Sequence, residues 1–151
     1  MNIQIRFINS GSLVAKAITW ETFGAGGEWS HVEFCLPNGY LGSQAPEGVL
    51  LRPLNYTEVS SQLVCNIQVT DDIGNRVLNF AQAQICKPYD YESIVGFVFK
   101  GDMEEPGAWF CSEFVAYSFM QAGFPLLRTS ECNRISPSTL SLSPYLVPVG
   151  S

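Results

Sequence analysis

From Phe110 to Ala122 the chain places apolar residues on nearly every side of a helix: Phe110, Phe114, Val115, Ala116, Tyr117, Phe119 and Met120. Such a helix has no face to give to solvent and must be covered all round, so the rest of the chain has to be built about it. The segment opens with Trp109-Phe110-Cys111-Ser112-Glu113 and closes at Gln121-Ala122-Gly123, a glycine C-terminus. The covering material is mostly strand. Ile3, Ile5 and Phe7 alternate with Gln4 and Arg6, and the stretches Ser30–Leu36, Tyr40–Ala45, Val49–Leu51 and Gln62–Val69 continue the pattern. Asn38-Gly39 predicts a tight hairpin between the second and third of these.

Further helices are expected at two places. Ser10-Gly11-Ser12 offers an N-cap to a short helix through Leu13, Val14, Ala17 and Ile18. Asp71-Asp72 caps a longer one running to about Cys86, with Ile73, Val77, Leu78, Phe80, Ala81 and Ile85 as its apolar face. Lys87-Pro88-Tyr89-Asp90-Tyr91 breaks it, an apolar segment over Ile94–Phe99 follows, and Gly101–Gly107 reads as an acidic surface loop. From about residue 125 the tail is rich in Ser and Pro and is expected to be irregular. The sum is an α+β fold, a small antiparallel sheet with flanking helices, formed as one domain over residues 1–151.

Composition excludes several classes. Hydrophobic residues at 46% against 15% charged argue for a real core and against disorder. The formal charge of −6, with eight Lys and Arg scattered singly, leaves no basic stripe for a nucleic acid and little attraction to an anionic membrane. No window reaches the length of a bilayer-spanning helix. The alternating start does not resemble a signal peptide. Five cysteines without repeated close spacing do not read as a disulfide framework. The expectation is a protein made and folded in a reducing cytoplasm. A target outside the cell would need delivery by lysis, on a particle or by injection.

The chemistry lies in Cys111. A thiol at a helix start is favoured as the anion by the helix dipole and the free backbone N–H groups. The chain has one histidine, His31, so a Cys/His catalytic pair has to use it. In Ser30-His31-Val32-Glu33-Phe34-Cys35, alternation puts His31, Glu33 and Cys35 on one face of the strand. If Asn38-Gly39 forms the two-residue turn, paired positions sum to 77 and Gln44 lies diagonally across from His31 on that face. Gln44 is therefore the predicted group orienting the imidazole, with Glu33 as its rival. Glu113, about 200° round the helix from Cys111, reads as structural. A metal site is disfavoured: His31 and Cys35 share a face, but no close Cys pair or second histidine completes a zinc set.

His31 on an early strand, the hairpin after it and Trp-x-Cys-Ser-Glu at a helix start 80 positions later resemble the circularly permuted papain-like cysteine hydrolases of the NlpC superfamily, which include the lecithin:retinol acyltransferase-like branch. The resemblance runs from Ile3 to Gly123. It implies Cys111 as nucleophile, His31 as general base and a third, polar residue following the histidine, a part that Gln44 fits. Relatives carry a carboxylate or second histidine on the return strand, where this chain has only Gly42, Ser43 and Gln44. The implied reaction is acyl transfer through a thioester, with the oxyanion held at the start of the Cys111 helix and no cofactor. Tyr89, Tyr91 or Tyr40 could supply a second oxyanion donor, Trp29 a wall of the cleft, and Gly24–Gly27 a lip or a plain connector. The implied substrate is a cell-wall peptide of a bacterial or phage system. A lipid acyl ester or amide is the alternative, and a non-catalytic binding domain on the same fold a further one.

Overall fold

The computed structural model describes residues 1–9, 28–90, 109–128 and 135–150. Five main strands form in chain order: β1 (Asn2–Asn9), β2 (His31–Leu36), β3 (Gly39–Gln44), β4 (Gly48–Arg52) and β5 (Ser61–Gln68). With a two-residue strand β6 (Val147–Pro148) they make a six-stranded sheet in the order β4-β3-β2-β1-β5-β6, every neighbour antiparallel. Among the described residues three helices accompany it: α1 (Asp71–Ala83), α2 (Cys111–Gln121) and the single-turn α3 (Pro137–Leu140). The α+β reading therefore holds, and each predicted strand among the described residues forms within two residues of its expected ends. The tail differs from expectation. Ser136 caps α3 through the Thr139 N–H, and Val147 pairs with Asn66, so part of the tail belongs to the folded structure.

One face of the sheet carries Ile3, Ile5, Phe7, Val32, Phe34, Leu41, Val49, Cys65 and Ile67, all buried in a single apolar core with Val77 and Ala81 of α1 and most of α2. Phe34 meets Phe114 edge-on with centroids 5.7 Å apart and stacks on Phe119 at 6.0 Å. The α2 residues Cys111, Ser112, Phe114, Val115, Ala116, Ser118 and Phe119 are buried, as a helix apolar all round requires. In α1, Thr70 rather than Asp71 is the N-cap, accepting from the Ile73 N–H at 3.3 Å, while Asp71 and Asp72 occupy the first turn. The helix ends three residues before Cys86, which turns the chain with φ 73°.

The β2–β3 hairpin departs from the expected register. Leu36 pairs with Gly39 and Phe34 with Leu41, so positions sum to 75 and Pro37-Asn38, not Asn38-Gly39, are the turn residues. Pro37 supplies the fixed φ of a first turn position. Gly39 is used instead for close approach: at φ 155°, a Cβ there would lie 2.2 Å from the Arg52 carbonyl oxygen on β4. The offset is even, so the faces are preserved while every cross-strand partner changes.

Among the described residues, no helix is long and apolar enough to cross a membrane. Cys35, Cys65, Cys86 and Cys111 are free thiols. The helix expected after Ser10, the Gly24–Gly27 loop, Tyr91, the apolar segment 94–99 and the acidic loop 101–107 lie outside the described residues.

Candidate active site

The start of α2 is fastened from several directions. Trp109 bridges Tyr89 through the Trp109 N–H to the Pro88 carbonyl and the Asp90 N–H to the Trp109 carbonyl. That same carbonyl accepts from the Ser43 hydroxyl of β3, and Ser112 Oγ donates to the Ile135 carbonyl. The Phe110 N–H donates to Glu113 Oε2 at 3.2 Å, so Glu113 closes the helix start from outside, in the structural part expected of it. These contacts leave Cys111 buried in a small cluster with Tyr89 and Phe110, against which Ala45 packs. Because β2 and β3 run antiparallel, the first residue of β2 and the last of β3 share one end of the sheet. Ala45 follows immediately, so the Cys111 cluster sits at that end, beside His31.

His31 lies at the same end of the sheet as the Cys111 cluster. The imidazole is buried, its Nε2 lies 3.3 Å from Glu33 Oε2, and it is coupled electrostatically to Cys111. Burial alone would push the ring toward neutrality. Hydrogen bonding and electrostatic attraction to Cys111 and Glu33 outweigh it, raising His31 from 6.5 to about 9. The ring is thus charged at neutral pH. Cys35, third on the same strand face, is pushed up to about 12 by burial and by the Glu33 charge, which describes an inert thiol.

The orienting group differs from the one predicted. Gln44 makes no hydrogen bond to His31; Glu33 holds the ring. Continued past the paired residues, the register that sums to 75 puts Gln44 opposite His31 and Gly42 opposite Glu33. A Cβ on Gly42 would come within 2.8 Å of the Glu33 Cβ, so a glycine there leaves room for the carboxylate. Glu33 has no solvent exposure, and three groups satisfy it. Arg6 Nε of β1 donates to Oε1 at 2.6 Å, and Tyr56 Oη donates to Oε2 at 2.9 Å, beside the His31 contact. Burial would raise the Glu33 carboxyl. The hydrogen bonds and charges of His31 and Arg6 hold it below its ordinary value, so it stays an anion.

Arg6 and Tyr56 were not singled out in the sequence. Arg6 pairs with Glu33 across the β1–β2 ladder, and its guanidinium carbon lies 3.3 Å from the Tyr40 ring centroid. Tyr56 comes from the loop after β4 and folds over the same face. Alternation placed Arg6 on that face, but nothing local indicated that the face would be covered. Two weaker expectations also change. Trp29 lies in the core against Phe7, centroids 6.2 Å apart, and not beside Cys111, while Tyr40 lies under Arg6. Tyr89 does flank Cys111.

A buried thiol, an imidazole near it and an ionised carboxylate behind the imidazole are the parts needed to activate a nucleophile and shuttle a proton. A cation fits less well. Among the described residues no group of three or more His, Cys, Asp or Glu is placed to hold a metal, and the Glu33 carboxylate already faces a guanidinium.

No family model and no curated protein matches this chain. Among solved structures it is similar to the metalloprotein yiiX of Escherichia coli O157:H7, of the DUF1105 group. The TM-score is 0.71 at 18% sequence identity, over 100% of this chain and 97% of that one, a likeness of fold.

Proposed function

We propose that this protein is a cysteine hydrolase of the permuted papain-like kind, with Cys111 as nucleophile, His31 as general base and Glu33 as the residue orienting the imidazole. The observation that carries the reading is the buried His31 ring hydrogen-bonded to Glu33 at the end of the sheet where Ala45 packs on the Cys111 cluster. The order of elements, histidine strand before cysteine helix, supports the permuted arrangement. With Nε2 taken by Glu33, Nδ1 is the ring nitrogen left for the thiol.

As the Cys111 sulfur attacks an acyl carbon, its proton passes to His31. The carbonyl electron pair moves onto oxygen, beside the backbone N–H groups at the start of α2. Collapse breaks the acyl C–N bond, and the departing amine takes the proton from His31. Neutral His31 then removes a proton from water, whose oxygen attacks the thioester; the C–S bond breaks and the thiol is regenerated. The substrate we assign is an amide, of the kind found in cell-wall peptides. A lipid acyl group is the alternative.

Because yiiX is a metalloprotein, a metal site is a rival reading for this chain. Arg6 at 2.6 Å from Glu33 disfavours it, because a cation bound by that carboxylate would face a fixed positive charge.

The test is iodoacetamide labelling at pH 7 read by peptide mass spectrometry. Cys111 is expected to label ahead of Cys35, Cys65 and Cys86, and His31→Ala to slow it by about 100-fold or more, the usual share of a positioned base. Slow labelling unchanged by the substitution would reduce Cys111 to a core thiol.

A further inference from the structure

With Glu33 holding the imidazole, Gln44 is left without its predicted task, yet the β2–β3 pairing, continued beyond Phe34 and Leu41, puts it opposite His31. Its side-chain Oε1 is buried and has no hydrogen-bond partner among the described residues. A buried acceptor with nothing to accept is costly in the unliganded protein, by more than a typical hydrogen bond returns. Gln44 is the last residue of β3, at the end of the sheet where Ala45 packs on the Cys111 cluster.

We infer that Gln44 is a substrate-binding residue whose side-chain carbonyl accepts an N–H of the substrate, selecting an acyl group that carries an N–H donor close to the scissile carbonyl. The inference rests on the hydrolase reading of Cys111. An amide or peptide segment supplies such a donor. A simple ester of a fatty acid does not, and it would leave the Gln44 oxygen buried and unpaired in the complex. The chemistry therefore favours the peptide-like substrate class over the lipid ester.

The test compares two alkylating probes, 2-chloroacetamide and N,N-dimethyl-2-chloroacetamide, which differ in the presence of N–H donors. The rate ratio on Cys111 is divided by the same ratio on glutathione, which removes the intrinsic reactivity difference. In the wild type the normalised ratio is expected to favour the N–H-bearing probe by about tenfold, the size of one hydrogen bond. Gln44→Met should bring it to one, and Gln44→Glu, which keeps an acceptor, should preserve the preference. A wild-type ratio of one, or a preference that survives Gln44→Met, overturns the inference while leaving Cys111 reactive. A Cys111 that reacts with neither probe overturns the hydrolase reading and this inference with it. If Gln44→Met fails to fold, Gln44→Leu takes its place, and a wild-type ratio of one overturns the inference without either variant.

Discussion

Both faces of the sheet hold buried side chains, kept from water by opposite means. On the helix-covered face, Ile5, Phe7, Val32, Phe34, Leu41 and Ile67 are removed from water by packing against α1 and α2. That burial is non-directional and scales with apolar area. On the other face, Arg6, His31 and Glu33 are equally dry, but each has to be matched by a charge or a hydrogen bond at a fixed distance. Burying charges costs several kcal/mol each unless the geometry repays it. The comparison teaches where chemistry can be kept: the apolar face is tolerant and holds the fold, while the polar face is exacting and holds the proton carriers.

Adjacent residues on β2 give the sharpest way to break the contrast. Phe34→Ala should destabilise the protein by about 3–5 kcal/mol by opening a cavity between Phe114 and Phe119. Glu33→Gln should cost a comparable amount, about 3–5 kcal/mol, because it leaves Arg6 and His31 without their anion. Urea titrations at several pH values separate the two. The Phe34→Ala loss should be constant between pH 5 and 9, whereas the Glu33→Gln loss should change with pH. Equal, pH-independent losses would mean that the polar face is not held by charge.

A second effect is smaller and follows from the direction of the two shifts. His31 is raised from 6.5 to about 9, so its contribution to stability is complete below about pH 6.5 and is lost as pH rises through 9. Glu33 is lowered, so its contribution is present above its ordinary value near 4.5 and is lost as pH falls through its folded value. Stability should therefore be greatest between about pH 4.5 and 6.5 and decline on the alkaline side. The alkaline decline should vanish in His31→Ala, as followed by denaturant midpoints. A decline that persists unchanged in that variant would assign it to another group.

The smallest expected change is Tyr56→Phe. It removes one hydrogen bond to a buried carboxylate and leaves the ring, at a cost of about 1.5–3 kcal/mol. Cys111 labelling should slow only modestly, because Arg6 and His31 still hold Glu33. A loss of labelling as large as that of His31→Ala would make Tyr56 part of the proton path rather than a support for Glu33.

The contrast between the faces also explains which features were legible in the chain. Periodicity of two located the strands because each apolar residue reports its own environment through its neighbours two positions away. The all-round apolar pattern located α2 at Cys111–Gln121 for the same reason. Alternation placed His31 and Glu33 on one face correctly. It gave no sign that this face would be covered, since a polar residue on an alternating strand ordinarily reads as exposed. The covering groups come from far away: Arg6 is 27 positions from Glu33 and Tyr56 is 23.

What the sequence by itself determined was therefore local: the α+β composition of elements, the helix bearing Cys111, the uniqueness of His31 and the face on which it lies. Tertiary structure decided which groups satisfy that histidine. The hairpin register was set by Pro37 and by the closeness of Gly39 to Arg52 on a third strand, not by the Asn-Gly pair alone. That two-position offset put Gly42 opposite Glu33, where the missing side chain leaves room for the carboxylate that takes the imidazole. The physical reason is one of range. Backbone propensity and side-chain periodicity act over a few residues and are written in order along the chain. The pairing of buried charges depends on separations of a few ångströms between residues brought together only by folding.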